Sequence, residues 1–423
     1  MIFVLLVICG LLLWYIFLTY QDIACPPFIL GTIMTAIYVV VALYAGPKEI
    51  GNIYYLCFLG AFISFTIGFS LVCNHFTYSP KPIQKNLIMR HGVRTTVLLI
   101  ADSAAIYQII YFLPHLQDGL SFFQSIRTAQ RNDGVSAGIA SAPLETIFYL
   151  MLALYILNPI KENRNGLLLS LPCIISAAFT SAARTSWFYA LITIVFVFVF
   201  VKRIRSRKLV IIGIFGLLAI LVVFVWTSYD YALSMGNSPT SSPLDSIIDS
   251  LVTYFGLPAM AFVRWMQSGP THYYGLYTFR FVCAVLNRLF PMIEVVDTVQ
   301  PFYVIDGLRG NVYTPLHWYA SDFGIPWMLF VYLLEGAVYA YFYKKLRAGT
   351  GGTVFSIVIL SMLMPPLCGQ FFDEKIFSVF SIWLQRAIVL FILTRPGYVL
   401  VDGNAEKPTK RRKKIKIVWG RRL

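Results

Sequence analysis

Long apolar runs recur from one end of this 423-residue chain to the other, and they constrain its fold more than any other feature. An apolar run of about 18 residues or more is long enough to cross the ~30 Å hydrocarbon core of a membrane as a helix. Only 13% of the residues are charged, whereas soluble domains carry about 25%. The sequence therefore predicts an all-α, polytopic integral membrane protein, and it excludes a soluble enzyme and a β-barrel.

The runs predict about eleven transmembrane helices. They lie at residues 2–20, 27–46, 53–73, 95–114, 143–160, 167–183, 185–201, 209–227, 323–343, 351–368 and 376–394. The sixth and seventh are separated only by Arg184, but together they exceed the ~20 residues that one crossing needs, so we count two. The first run has no basic segment before it and no cleavage pattern after it, so we expect it to be retained rather than removed as a signal peptide.

Four parts follow from this division. Residues 1–227 hold the first eight helices and an outer loop at 115–142, residues 228–322 form a large outer loop, residues 323–394 hold the last three helices, and residues 395–423 form a basic tail. The large loop is too long to be a simple connection. Its stretches 246–265 and 277–291 are predicted to be short amphipathic helices, able to lie along the membrane surface.

Basic residues in short loops predict the orientation. They are Lys81, Lys85, Arg90, Arg94, Lys161, Arg164, Lys202, Arg203, Arg205, Arg207, Lys208, Lys344, Lys345, Arg347 and the nine between Lys407 and Arg422 in the tail. Lysine and arginine mark the cytoplasmic side, so the C-terminus is predicted inside, with the N-terminus and both long loops outside. The tail is interpreted as an anchor on anionic lipid rather than a nucleic-acid site. The seven cysteines are scattered without the spacing of a zinc site or disulfide framework, and are interpreted as small apolar residues.

The two long outer loops carry arginine without lysine. The arginines of the two long loops are Arg127, Arg131, Arg264, Arg280, Arg288 and Arg309. A planar guanidinium binds phosphate oxygens through two parallel hydrogen bonds, so a phosphate or pyrophosphate ligand is one interpretation. The other is ion pairing with loop carboxylates, namely Asp245, Asp249, Glu294, Asp297 or Asp306.

Arg184 lies at the predicted outer junction of two helices, between small residues at 181–183 and 185–186. An arginine at a helix end in the membrane is costly without a partner. The small neighbours leave room for a bulky anion beside it, and a structural salt bridge is the alternative.

The segment from Arg309 to Gly324 is rich in groups that can bind sugars. Asn311, Tyr313, Tyr319 and His317 offer hydrogen-bonding or stacking groups, although aromatic residues at this place also suit a membrane-interface belt. Asp322 is expected to cap the following helix, with a catalytic role as the alternative.

This plan resembles the Wzy O-antigen polymerases, also called oligosaccharide repeat unit polymerases. The resemblance covers the architecture of nearly the whole chain, and its residues are 182–186 and 309–324. Some members of the family carry an arginine, ten residues and a glycine in an outer loop, and Arg127 with Gly138 matches that spacing. No second match begins at Arg280 or Arg309.

The resemblance implies an enzyme on the outer face of the bacterial inner membrane that joins oligosaccharide units carried on polyprenyl pyrophosphate. It implies inverting transfer without a metal or cofactor. Arg184, Arg309 and Arg127 would bind the pyrophosphate, with Arg131 and Arg280 in reserve, and His317 would accept the proton, with Asp306 or Asp322 as alternatives. The expected partners are the lipid-linked donor and acceptor, membrane lipids, and a chain-length regulator and a flippase of the same pathway, but no nucleic acid.

Two other functions stay open. An O-antigen ligase would use the same chemistry with a lipid A core as acceptor. A polysaccharide flippase or secondary transporter would place polar groups at the membrane midplane. For the intramembrane acids Asp102 and Glu335, the cation available within a predicted span is Arg386, and we expect an ion pair between Asp102 and Arg386 rather than an ion path.

The basic loops yield a first prediction. Tags at Arg205 and at the C-terminus should be cytoplasmic, and a tag near Ser241 should be external, because the basic residues stay inside. Protease or thiol-reagent access to each tag in intact cells measures this, and an external C-terminus would contradict the assignment.

Overall fold

The chain is mostly helical in the part that a computed structural model describes. Described are residues 2–44, 52–73, 86–116, 125–126, 128–129, 141–181, 184–202, 256–297, 303–305, 308–310, 313–348, 353–370 and 374–402. The predicted run at 209–227 and most of the loop at 115–142 lie outside these ranges, as do residues 246–255 of the first predicted loop helix.

In chain order the helices of the described part are α1 (Ile2–Tyr20), α2 (Pro26–Tyr44), α3 (Asn52–Cys73), α4 (His91–Phe112), α5 (Ser141–Leu157), α6 (Lys161–Leu169), α7 (Leu171–Ser181), α8 (Arg184–Lys202), α9 (Leu257–Gln267), α10 (Arg280–Leu289), α11 (Pro315–Phe323), α12 (Ile325–Ala348), α13 (Thr353–Cys368) and α14 (Phe380–Leu393). A 3-10 turn at Leu113–His115 extends α4. The strands are β1 (Leu87–Met89), β2 (Tyr303–Ile305), β3 (Leu308–Gly310) and β4 (Leu400–Asp402).

Apolar helices make this a membrane-embedded protein. Among the described residues, four helices are long and apolar enough to cross a membrane, at Phe3–Tyr20, Ile53–Cys73, His91–His115 and Ile325–Arg347. Shorter apolar helices lie at Pro26–Ala36, Ser141–Leu157, Ser186–Lys202, Val354–Cys368 and Phe380–Leu393. The helical membrane fold is confirmed, and the number of eleven crossings stays a prediction.

The predicted helix over 167–183 is interrupted. The hydroxyl and the amide of Ser170 both hydrogen-bond back to the carbonyl of Leu167, which closes α6, and α7 starts at the next residue. With 11 residues, α7 rises only ~16 Å, about half of the hydrocarbon thickness. The described part of the first predicted loop helix is helical as α9, and the second is present over a shorter range as α10.

Two small antiparallel sheets were not expected from an all-α prediction. Strands β2 and β3 form a hairpin, and β1 pairs with β4 with Leu87 opposite Asp402. The second pairing joins the basic loop before α4 to the beginning of the tail. Asn163, in the first turn of α6, joins this helix to the sheet, because its side-chain amide donates to the carbonyl of Leu87 at 3.2 Å.

Another contact joins the loop between α1 and α2 to the end of α12. Asp22 of that loop accepts a hydrogen bond from Tyr343 at 2.6 Å and forms an ion pair with Arg347. In both places, segments that the predicted topology assigns to one side of the membrane are brought together. Which face of the membrane this is stays a prediction.

Among the described helices, α3 and α12 pack most extensively against each other. Gly68 of α3 and Gly336 of α12 make this possible, because a Cβ atom at Gly68 would overlap the carbonyl oxygen of Leu333, and one at Gly336 would overlap that of Phe65. Close backbone approach at small residues is the usual basis of helix association in membranes. Phe65 and Tyr339 fill the adjacent core with ring centroids 5.5 Å apart.

This contact predicts that adding one methyl group at either glycine lowers the stability of the protein. Gly68→Ala and Gly336→Ala should each destabilise the protein by about 1–3 kcal/mol, because the backbone of the partner helix must move. Thermal unfolding of the purified chain in detergent measures the loss. Gly10→Ala is the control, since a Cβ there meets no atom within 4 Å. Equal melting temperatures for all three variants would contradict the packing argument.

Candidate functional site

The structure describes the side chains of five of the predicted site residues, namely Arg280, Tyr313, His317, Tyr319 and Asp322. For Arg184, the first residue of α8, and Arg309, in β3, it describes the backbone only. Arg127, Arg131, Asp306 and Asn311 lie outside the described residues.

His317 lies in the first turn of α11 within an aromatic cluster. Thr314 caps this helix by accepting a hydrogen bond from the amide of His317 at 3.3 Å. The imidazole stacks on Tyr313 with centroids 4.7 Å apart, and it meets the Trp265 ring of α9 edge to face at 5.0 Å. The ring is partly exposed, but Nε2 is buried and has no hydrogen-bond partner among the described residues.

Burial lowers the pKa of His317 to about 3. Loss of water disfavours the charged imidazolium, and no nearby anion among the described residues compensates for it. At neutral pH the imidazole is neutral, and its unused Nε2 is available to a ligand that displaces its neighbours.

Asp322 anchors the end of α11 to the segment that precedes α10. Its fully buried carboxylate accepts hydrogen bonds from the amides of Tyr277 and Thr278, at 3.1 and 2.7 Å, and from the hydroxyl of Thr278. The prediction that Asp322 caps the following helix is wrong. The carboxylate instead fixes a loop that lies far away in the sequence, and both of its oxygens are occupied.

Arg280 starts α10, two residues after this anchor point. Its Nε donates to the carbonyl of Val296 at 2.7 Å, and Nη1 donates to the carbonyl of Ser378 at 3.4 Å. Both partners are neutral, and among the described residues no carboxylate comes within salt-bridge distance. Burial lowers the pKa of this half-buried arginine, and the charge of Asp297 acts in the opposite direction from farther away. Two of the five N–H donors of the guanidinium are used, which leaves three for a ligand.

Tyr319 is buried in α11 rather than displayed on a surface. Its hydroxyl oxygen lies 2.5 Å from Oε1 of Glu335 and 3.0 Å from Oε1 of Glu374. The predicted sugar contact through this hydroxyl is therefore replaced by contact with two buried carboxyl groups. Tyr313, by comparison, is partly exposed and packs against Tyr303 at 4.9 Å.

The two carboxyl groups have different surroundings. Glu374, in the loop before α14, accepts three backbone hydrogen bonds of 2.6 to 2.7 Å from residues 376–378. Glu335, ten residues into α12, has in addition to Tyr319 only the amide of Gln370 at 3.3 Å. No lysine or arginine of the described part lies at either carboxyl group.

Counting protons assigns the charge within this group. A tyrosine hydroxyl donates a single proton, so it cannot donate to both carboxylates at once. Three amide donors stabilise the ionised form of Glu374, whereas Glu335 has one amide donor and no cation. We therefore expect a proton on Glu335, with the Tyr319 hydroxyl accepting from Glu335 and donating to Glu374.

The predicted ion pair between Asp102 and Arg386 is wrong. Arg386 of α14 pairs instead with Glu145 of α5, with Nη2 and Oε2 2.5 Å apart. Asp102 accepts a weak hydrogen bond from the thiol of Cys173 in α7, at 3.7 Å. Glu145 was overlooked because it lies at the edge of an apolar run, where an acid usually reaches water.

Glu374 was also overlooked, although the sequence contained a signal. It lies in the short charged segment Asp373, Glu374, Lys375 between two apolar runs, where hydropathy alone indicates an ordinary exposed loop. Only packing shows that the chain folds around this carboxylate.

The described residues thus form one tethered unit at the start of α12. It combines a guanidinium with three unused donors and a neutral imidazole with an unused nitrogen, on segments that Asp322 ties together.

No cluster of three or more potential metal ligands occurs in the described part of the chain. Comparisons with family models, curated proteins and solved structures find no match for this chain.

The assignment of the proton to Glu335 yields a prediction. Glu335→Gln should change the free energy of unfolding by less than about 1 kcal/mol, since an amide resembles a neutral carboxyl group in shape and charge. Glu374→Gln should cost about 1.5–3 kcal/mol, because three amides lose an ionised acceptor. Thermal unfolding in detergent at neutral pH measures both, with the exposed Glu162→Gln as control. A larger loss for Glu335→Gln than for Glu374→Gln would show that the charge is on Glu335.

Proposed function

We propose that this protein polymerises oligosaccharide units linked to polyprenyl pyrophosphate, by glycosyl transfer at the membrane surface. The observation that carries the proposal is Arg280, a half-buried guanidinium whose described hydrogen bonds go only to neutral carbonyls. Such a cation can bind an anionic ligand without first breaking an ion pair within the protein. The resemblance of residues 182–186 and 309–324 to the Wzy O-antigen polymerases adds support.

The donor contains its own leaving group. A hydroxyl oxygen of the acceptor glycan forms a bond to the anomeric carbon, while the bond from that carbon to the pyrophosphate oxygen breaks and its electron pair stays on the pyrophosphate. Displacement from the opposite face inverts the configuration. Arg280 stabilises the developing negative charge, together with Arg184, Arg309, Arg127 and Arg131 in the proposal.

The proton of the attacking hydroxyl needs an acceptor. His317 is neutral and its Nε2 is unused, so it can accept a proton once the substrate is bound. A bound pyrophosphate supplies the negative charge that this site lacks and favours the imidazolium form. Asp306 remains the alternative base, whereas the three hydrogen bonds to Asp322 favour a positioning role for that residue.

An O-antigen ligase would use the same residues with a lipid A core as acceptor, and the acceptor in an assay separates the two. A lipid-linked glycan flippase is a second candidate from another class. It is favoured by Glu335, since a protonated acid ~15 Å along a membrane helix is typical of transport proteins. A flippase would move lipid-linked units between leaflets without lengthening the glycan.

Polymerisation by the purified, reconstituted protein tests the proposal. With lipid-linked repeat units and excess EDTA, the wild-type chain should lengthen the glycan, because arginine rather than a metal supplies the positive charge. Arg280→Lys and Arg184→Lys should each lower the rate at least about tenfold, since lysine keeps the charge but loses the planar fork. Glycan length on gels and protein abundance are the measurements.

Arg288→Lys is the matched control, because Arg288 is an exposed arginine of the same helix as Arg280. Its rate should equal that of the wild type. If the wild-type protein does not lengthen the glycan, the proposed function is wrong. If stable Arg280→Lys and Arg184→Lys variants keep full activity, these two arginines do not bind the pyrophosphate.

A further inference from the structure

Helix α10 presents an apolar face that no described residue covers. Val282, Val285, Leu286 and Leu289 follow the spacing i, i+3, i+4, i+7 of one helix face, and all four are exposed, Leu289 to 69%. None of the ten residues of α10 is buried. Beyond its end, Phe290 and Met292 continue the apolar surface, with Met292 98% exposed.

The other side of α10 is attached to the membrane helices. Phe281 packs on Phe380, the first residue of α14, with ring centroids 5.6 Å apart. Arg280 reaches the carbonyl of Ser378 in the same segment. The helix is therefore held at the level where the apolar helix α14 begins.

The exposed apolar surface continues from this region onto α12. Phe279, the residue before α10, packs near Trp327 at 6.0 Å, and Trp327 packs against Phe323 at 5.1 Å and against Phe330 at 5.4 Å. From there an exposed apolar stripe runs along the helix. Its members are Phe330, Leu334, Val338 and Tyr341.

We propose that α10 is an interfacial helix whose apolar face inserts into the acyl-chain region of one membrane leaflet. The occupant of this face is phospholipid, because the face is continuous with the stripe on α12, a helix long enough to cross the membrane. A helix with one apolar and one polar face gains free energy by lying in the interface. This goes beyond the proposed function and does not depend on it.

The position of α10 has a consequence for the residues around it. Arg280 and the loop that Asp322 anchors are held at headgroup depth, where the phosphates of any lipid-linked substrate also lie. Trp327 and Tyr274 fit the same depth, since aromatic side chains with a polar end concentrate at the membrane interface.

Photo-crosslinking of the full-length chain tests the proposal. The photoreactive residue p-benzoylphenylalanine replaces Val285 on the apolar face, or Ala284, which lies on the opposite side of the helix and serves as the matched control. The protein is reconstituted in vesicles of phosphatidylcholine and phosphatidylglycerol, irradiated and analysed by mass spectrometry. Position 285 should yield several-fold more phospholipid adduct than position 284. Gel filtration checks that both variants keep the wild-type elution volume. If the variant at position 285 does not, Leu289 is a second position on the apolar face.

Three outcomes would overturn the proposal. Covalent dimers from position 285 would show that a second copy covers the face. Absence of any adduct at 285 and 289 would place the face in water. Equal lipid capture at 284 and 285 would show that the helix is surrounded by lipid rather than lying at its boundary.

Discussion

The close approach of α3 and α12 at Gly68 and Gly336 is the contact on which the rest of the structure depends. Water does not drive helices together inside a membrane, so their association needs tight packing and polar contacts. The two glycines let the backbones touch, and the large rings of Phe65 and Tyr339 fill the space beside them. Helix α12 is thereby fixed, and it carries Glu335 at its middle and the unit containing His317 at its start.

Polar groups inside this protein are satisfied mostly by uncharged partners. Glu335 and Glu374 share the hydroxyl of Tyr319, and the described ion pairs are those of Arg386 with Glu145 and of Arg347 with Asp22. An uncompensated charge is expensive in low dielectric, so a buried carboxyl group with neither a cation nor several hydrogen-bond donors favours its protonated form. The same rule explains why burial holds His317 neutral in its aromatic cluster.

The candidate site follows from this arrangement. Both carboxylate oxygens of Asp322 accept hydrogen bonds from the loop before Arg280. These bonds fix the loop and thereby position the Arg280 guanidinium, which has unused donors. The same tethered unit also carries the neutral imidazole of His317. The surface next to it, formed by α10 and the start of α12, is apolar and would hold the unit at the depth of lipid phosphates.

The helical segments of the fold could be predicted from the sequence, because hydropathy is a local property. The sequence by itself indicated the helical membrane fold and the helical segments at 246–265 and 277–291 of the large loop, which overlap α9 and α10. The tertiary structure decided which groups meet. Arg386 forms an ion pair with Glu145, 241 residues away in the sequence, and not with Asp102. Asp322 accepts hydrogen bonds from Thr278 and does not cap the next helix. Such pairings, and the burial that keeps His317 neutral, depend on how distant helices pack, which no local pattern encodes.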